Sequence, residues 1–435
     1  MKICVMTLGC KVNKYESDAL IYNLGLKGYD TTDKLEPADV YVINTCAVTG
    51  EAEKKSRQMI ARCRKFNKDA KFFVCGCASQ KNTTQFIEKG VDYVCGTAGK
   101  IKISEYIDKL VKHDKRYLRK HERVLKLPKS YEDDLFAKQS RTRAYIKIQD
   151  GCNNFCSYCI IPYLRGRSRS RAIFSIINEA SKLDKNIKEI VLTGINVTDY
   201  KIDGKPSLLT LLEELDTFGK RLRLSSMEES LVDEDFVKGL KNLNNFCPHF
   251  HLSLQSGSSS VLKRMNRHYT AQQFKQSVEL IRKYFPLAGI TTDIIVGFPG
   301  ETNEEFEETY NFIKEIGFSA LHIFQYSSRE GTVASKLYKD LPPEVKQHRF
   351  ERLNKLNKML KSNFILKNKS GEVLIEEVED NYYIGYTKNY IRCYIENDDK
   401  LKKKFDGDLL DRVVKVKIGK EYKEGVLAYI LEIED

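Results

Sequence analysis

The stretch RAYIKIQDGCNNFCSYC, residues 143–159, decides the fold. Arg143–Gln149 reads as a strand, and Cys152, Cys156 and Cys159 follow it directly in a loop with the spacing C-x3-C-x2-C. Three thiolates so close together can wrap one face of a cubane iron–sulfur cluster. Four protein ligands would saturate a [4Fe–4S] cluster, whereas three leave one iron open. A tetrahedral zinc site would need a fourth Cys or His close by, and none is there. Downstream, further candidate strands appear at Glu189–Thr193, Arg221–Ser225, Phe250–Leu254, Ile290–Val296 and Ala320–Phe324. Helical segments separate them, for instance Thr302–Ile316, whose first turn is acidic as a helix N-terminus favours. Six such βα units predict a partial, open barrel rather than the complete eight-unit form, closed by a long helix over roughly Pro343–Lys367.

Before this region, the apolar runs KICVMTL, DVYVIN, KFFVC and VDYVC alternate with helical patterns at Ser17–Lys27 and Glu51–Phe66. That rhythm predicts a parallel sheet with helices on its faces. Residues 105–140 intersperse basic and acidic side chains with little apolar content and read as an exposed linker. From about residue 370 the pattern becomes GEVLIEEVE, YYIGYT, IRCYIE, VVKVKIG and GVLAYILEI. These short runs predict a small antiparallel barrel of about five strands, a type often used to bind oligonucleotides.

At 435 residues the chain is too long for one core, so two or three domains are expected. No apolar run reaches the roughly 18–20 residues of a membrane span. The start MKICVMTLGC reads as a buried strand rather than a signal peptide, which places the protein in the cytoplasm. A formal charge of +13 points to a polyanionic partner. Twelve cysteines in a reducing compartment suggest metal ligation or catalysis rather than disulfides. Cys4 and Cys75 fall inside strand runs and Cys63 on a helix, as small buried hydrophobes do. Cys10, Cys46 and Cys77 each follow a strand immediately, in TLGC, INTC and CGC, and Cys95 also ends a run. In a parallel sheet such points gather at the carboxyl edge, where open α/β sheets bind ligands.

The C-x3-C-x2-C motif after a first barrel strand resembles that of the radical S-adenosylmethionine (SAM) superfamily. TLGCKVNKYES, NTCAVT and CGCASQ resemble the three signature segments of the methylthiotransferase N-terminal domain, and the C-terminal barrel resembles a TRAM domain, an RNA-binding module. The resemblance covers essentially the whole chain in the family's order. It implies an N-terminal domain over 1–110 and a linker over 111–138, followed by a radical SAM domain over 139–368 and a TRAM domain over 369–435. By this resemblance Cys152, Cys156 and Cys159 hold a [4Fe–4S] cluster whose open iron chelates SAM, while Cys10, Cys46 and Cys77 hold a second [4Fe–4S] cluster. The Tyr158 backbone would approach the SAM adenine, and Glu228, Gln255, Ser256, Asp293, Gly297 and Glu301 would line SAM. RGRSRSR, with Arg165, Arg167, Arg169 and Arg171, resembles a basic segment of the family and would hold RNA phosphates. The alternative for these arginines is a solvated face or an ion-pair lattice. Lys400, Lys402, Lys403 and Lys404 form a basic run in the terminal barrel that would touch RNA or merely be exposed.

The implied chemistry suits a target beyond acid–base or nucleophilic catalysis, an adenine ring carbon bearing only hydrogen. A 5′-deoxyadenosyl radical abstracts that hydrogen, and the second cluster presents the sulfur. Both cysteine-bearing edges should therefore face one cavity. Of the family's branches, TLGCKVN–YES and NTCAVT resemble the one acting on N6-threonylcarbamoyladenosine (t6A) in tRNA, at C2 of the adenosine just 3′ of the anticodon. The other branches act on isopentenyl-adenosine in tRNA and on an aspartate of ribosomal protein S12. An iron–sulfur RNA-binding sensor without catalysis is the non-enzymatic alternative. The reaction also implies an electron donor of flavodoxin type or similar and a sulfur source, and nothing demands more than a monomer.

Overall fold

The computed structural model describes residues 1–111, 127–132, 136–137, 142–337, 339–397 and 408–434. Its N-terminal region is a five-stranded parallel sheet in the order Asp30–Thr32, Lys2–Thr7, Val40–Thr45, Lys71–Gly76, Tyr93–Val94. The edge strand Asp30–Thr32 has no apolar run to announce it, which is why the sequence pattern passes over it. One face of the sheet packs Val5, Val42 and Phe73 against Leu20 and Leu24 of helix Lys11–Leu26 and Ile103 of helix Lys102–Val111. The other packs Tyr41, Ile43 and Phe72 against Met59 and Ile60 of helix Gly50–Arg64. That helix is capped by Thr49 Oγ1, which accepts from Ala52 N at 3.1 Å, with Glu51 and Glu53 in its first turn.

The central region forms two parallel three-stranded sheets. One runs Arg221–Leu224, Glu189–Thr193, Arg143–Lys147, and the other His249–His251, Gly289–Val296, Ala320–Gln325. Single parallel bridges, Leu222 to Phe246 and Met227 to Leu252, join the two into a partial six-stranded barrel. Helix Pro343–Lys367 packs along the last strand. Along these strands Ile146, Ile190, Leu192, Leu222, Leu224, Ile290 and Ile294 belong to the core shared with the surrounding helices. Side chains of a strand alternate between faces, so Arg143, Lys147, Glu189, Arg223, His251 and Asp293 point into the barrel. A complete βα barrel fills its lumen with branched apolar residues; this lumen is polar instead.

Charge in the lumen is organised around Glu189, which accepts from Arg223 Nε at 2.6 Å and lies 3.3 Å from Arg143 Nε. Burial alone would raise its pKa, but Arg223 and Arg143 outweigh burial and hold it at about 2. A depressed folded pKa means stability present above the unfolded value, about 4.3, and lost as pH falls toward 2. The span corresponds to about 3 kcal/mol. Urea unfolding at stepped pH should therefore show a loss in the wild type between about pH 4.5 and 2 that Glu189→Gln lacks.

The C-terminal strands close into a barrel in the order Ser370–Glu379, Tyr382–Thr387, Arg392–Glu396, Gly425–Glu434, Val413–Tyr422. All neighbours are antiparallel except Arg392–Glu396 with Gly425–Glu434, a departure from the all-antiparallel expectation. This barrel sits under the amino ends of the central strands. Arg143 pairs with Glu376, Arg223 Nη1 donates to Lys388 O at 2.9 Å, and the Tyr390 ring stacks on His249 at 4.5 Å. The basic run Lys400, Lys402, Lys403 and Lys404 lies outside the described residues, as does most of the expected linker. Among the described residues no helix is long and apolar enough to cross a membrane.

Candidate active site between two cysteine triplets

Cys10, Cys46 and Cys77 stand at the carboxyl edge of the N-terminal sheet, Cys10 as the N-cap of helix Lys11–Leu26 and Cys77 opening the short helix Cys77–Lys81. Two glycines set this edge. Gly9 and Gly76 both have φ of +103°, a region that disfavours side chains. A Cβ on Gly9 would lie 2.7 Å from Cys46 Sγ, and one on Gly76 would lie 2.4 Å from Thr45 O. Asn13 ties the loops together, its Nδ2 donating to Leu8 O at 2.7 Å and Thr45 O at 3.0 Å. Burial pushes the Cys46 thiol up to about 11, and Cys77 and Cys10 add to the rise. Cys77 is raised by burial and again by Cys10. The three thiols thus feel one another's charge. Cys75 and Cys95 lie on the opposite face in the apolar core, the first hydrogen-bonded to the second.

The second triplet is shaped by Gly151, φ +73°, where a Cβ would meet Arg167 O at 2.0 Å. Cys152 N donates to Gly166 O at 3.1 Å, and Ser157 N to Met265 O at 2.9 Å. Burial raises Cys152 to about 11 and Cys159 to about 12, with Cys156 adding to both. Two neighbours went unread in the sequence because no local pattern marks them. Arg267 Nη1 donates to Cys156 Sγ at 3.4 Å and pairs with Glu228 at 2.8 Å, while Asn154 Nδ2 donates to Glu228 Oε1 at 2.6 Å. Among the described residues no three His, Cys, Asp or Glu side chains are gathered tightly enough to share one metal ion. A cubane asks for a different arrangement, since each of its irons takes a single thiolate and the ligands stand apart around it. Two thiol triplets at strand ends, with Cys46, Cys77 and Cys156 buried and Cys10, Cys152 and Cys159 more open, fit that group.

The residues expected to line SAM divide. Gln255 holds a left-handed backbone, φ +70°, at a strand end and is clamped between Asp293 O and Ile295 N. Such a conformation outside glycine marks a constrained site. Tyr158 uses neither its backbone N–H nor its carbonyl in a bond among the described residues. Glu228 adjoins the cysteine loop. The side chains of Ser256 and Glu301 face elsewhere, which leaves only their backbone to line SAM. Ser256 Oγ is buried against Thr309 Oγ1 at 3.0 Å. Glu301 accepts from Gly297 N at 2.8 Å and pairs with Arg349 of the long helix, so its role is to brace that turn. Asp293 lies deeper in the lumen, 3.2 Å from His251 Nε2.

The arginines of RGRSRSR need a larger correction. Arg165, Arg169 and Arg171 are buried, and carboxylates hold all three. Arg165 Nη1 lies 3.0 Å from both Glu16 Oε1 and Asp150 Oδ1, and its Nη2 donates to Asn13 Oδ1 at 2.8 Å. Arg169 lies 3.6 Å from Asp150, and Arg171 pairs with Glu179, which also accepts from Tyr15 OH at 2.9 Å. Lys100 and Lys147 complete the cluster on Glu16. This is the ion-pair lattice, and it joins the N-terminal sheet to the barrel. Only Arg167 remains on the surface, over the Phe155 ring at 4.4 Å. A second seam runs through Arg329, whose Nη2 donates to Ala47 O at 2.7 Å and Glu53 Oε2 at 2.5 Å.

Lys11, the residue after Cys10, lies within electrostatic reach of Asp293 and His322 inside the barrel. Ile160, directly after Cys159, packs in one buried cluster with Cys77, so the two cysteine-bearing loops meet. Comparison with known proteins agrees with this arrangement. Residues 146–313 match the radical SAM superfamily, and residues 2–96 match the uncharacterized protein family UPF0004. The threonylcarbamoyladenosine tRNA methylthiotransferase MtaB of Bacillus subtilis (strain 168) is 41% identical over 98% of this chain and 96% of its own length. Its namesake from Aquifex aeolicus is 37% identical over 90% and 96%. A tRNA-2-methylthio-N(6)-dimethylallyladenosine synthase of Thermodesulfovibrio yellowstonii is 33% identical over 98% and 97%. The solved structure of the radical SAM methyltransferase TsrM from Kitasatospora setae shares the fold with a TM-score of 0.57, 14% identity and 77% of each chain covered. The fold and paired cysteine edges define a radical SAM enzyme. More narrowly, the chain belongs to the radical SAM methylthiotransferase family, sulfur-transferring enzymes that use SAM and two [4Fe–4S] clusters.

Proposed function

We propose that this enzyme adds a methylthio group to C2 of t6A beside the anticodon of tRNA, with Cys152, Cys156 and Cys159 holding the cluster that binds SAM and Cys10, Cys46 and Cys77 holding the auxiliary one. When bound, these groups supply a radical able to take hydrogen from an unactivated ring carbon and a sulfur to replace it. The chain's own part is to fix their separation and exclude water. The observation that carries the reading is that Ile160, directly after Cys159, packs in the buried cluster that also contains Cys77, so the two cysteine loops meet at one seam. Relatives named for t6A, at 36–41% identity, support the branch. We further assign the closed C-terminal barrel as a TRAM domain that, with Arg167, meets RNA phosphates. A flavodoxin-type or similar electron donor, a separate sulfur source, a monomeric state and a cytoplasmic location complete the proposal.

The test is anaerobic reconstitution with SAM and a reductant, offering tRNA bearing t6A, tRNA bearing isopentenyl-adenosine, and ribosomal protein S12 in parallel. Methylthio mass is expected on the t6A-bearing tRNA. Product on isopentenyl-adenosine alone would move the enzyme to the neighbouring branch, and product on the protein alone would sink the tRNA reading.

A further inference from the structure

The last central strand, Ala320–Gln325, stands at the free edge of the partial barrel. Its odd-numbered residues serve the outside. Leu321 and Ile323 pack in the core under the helices, and Gln325 Nε2 donates to Gln347 Oε1 of the long helix at 2.7 Å. His322 and Phe324 therefore turn into the lumen. The His322 ring meets that of His251 edge-on at 5.3 Å, and His251 in turn reaches Asp293 at 3.2 Å. Phe324 stands one layer, about 7 Å, nearer the carboxyl ends of the strands. It is paired in register with Ile295, which packs on the same small cluster as Tyr158, the residue before Cys159. Yet Phe324 is 45% exposed. Single exposed apolar side chains are common on an outer surface and need no explanation there. A bare phenyl ring inside a polar chamber, beside both the cysteine loop and the open edge, is a surface placed for a flat partner.

The reaction supplies that partner. C2 of an adenosine in an RNA loop can reach the cysteine loops only if the base leaves its stack. A base taken out of its stack is held by aromatic rings on its face and by polar groups on its edges. Phe324 offers the face. His322, His251 and Asp293, a layer deeper, offer polar groups to an edge or to the N6 substituent.

We propose that Phe324 is the substrate-binding residue on which the target adenine of the tRNA stacks, after entering the lumen through the open edge of the barrel. The inference rests on the tRNA substrate reading above and deepens it, and it needs only the purine ring that both modified adenosines share. SAM also carries an adenine, so the experiment must separate the two sources.

The full-length protein with both clusters reconstituted is titrated with SAM and with two anticodon stem-loops, one carrying t6A and one an abasic sugar at the same position. Phe324→Leu, which keeps an apolar side chain but removes the ring, should weaken binding of the t6A stem-loop about 10-fold, the size of one lost base–aromatic stack. It should leave the abasic stem-loop and SAM within about twofold, because the residue and the base form a single cycle of coupled changes. Those two unchanged affinities also report an intact fold. Phe324→Tyr keeps the ring and should recover most of the loss. Equal weakening of both stem-loops would make Phe324 a contact to some other nucleotide and overturn the proposal. So would no weakening of either. A selective loss of SAM affinity would assign the ring to the adenine of SAM and overturn it too. Wild-type protein that modifies only ribosomal protein S12 would fail the substrate reading itself, a result visible before any variant is made.

Discussion

Replacing Cys152 with alanine should stop formation of 5′-deoxyadenosine, by on the order of 1,000-fold or more, because no other group in the lumen can open SAM reductively. Iron should fall from about eight to about four atoms per chain. Cys46→Ala should remove a similar amount of iron and abolish the methylthio product while leaving 5′-deoxyadenosine formation intact. The two triplets are built on separate loops, the first braced by Asn13 and Gly76 and the second by Gly151 and Met265 O, so losing one does not unmake the other. Thiols that burial holds protonated would otherwise be poor ligands, and the cluster's charge is what draws them into the thiolate form. If Cys152→Ala still cleaves SAM at the wild-type rate, the assignment of the cysteine sets is wrong. Anaerobic turnover with product chromatography and iron analysis reads all of this.

Arg165→Met should be the most destabilising single change outside the cysteines, at about 3–5 kcal/mol, the usual effect of removing one partner from a buried ion pair. Its guanidinium is fully buried and serves Glu16, Asp150 and Asn13 together, and Asn13 is the residue that ties the loop of Cys10 to the strand end before Cys46. Burial would raise the Glu16 carboxyl, but Arg165 and then Lys100 and Lys147 reverse this and hold it well below the ordinary carboxylate range. Without Arg165 those carboxylates and lysines must re-pair inside a closed seam. Urea unfolding would measure the loss, and the double variant with Glu16→Gln should cost less than the sum of the singles, as coupled residues do. A loss below about 1 kcal/mol would mean that the seam is wetter than its burial indicates.

The same arginine explains what sequence could and could not reveal. A cysteine that directly follows an apolar run announces its strand-edge position locally, so the positions of Cys10, Cys46, Cys77, Cys95 and the loop of Cys152 were legible from order, while the choice of ligands among them came from the resemblance. RGRSRSR reads as a phosphate clamp for the same local reason, and that reading fails for Arg165, Arg169 and Arg171. The partner of Arg165 lies 149 residues away at Glu16, inside a segment otherwise noticed for its cysteine. Charge runs show the cations; only the fold shows which carboxylates come to meet them. The strands of the barrel were visible, but their inward polarity became meaningful only once the outward residues had been seen against the helices.

The stacking of Tyr390 on His249, with Arg143 and Arg223 laid over the same ring, has a consequence for how the enzyme is assembled. The C-terminal barrel is the stopper of the vessel in which the radical would be made. A chain cut before residue 370 would keep both cysteine triplets and every central strand, yet its chamber would drain through the bottom. In this architecture the small barrel and the larger one above it are not separable goods, and a boundary drawn between them on the sequence passes through the wall of a single room.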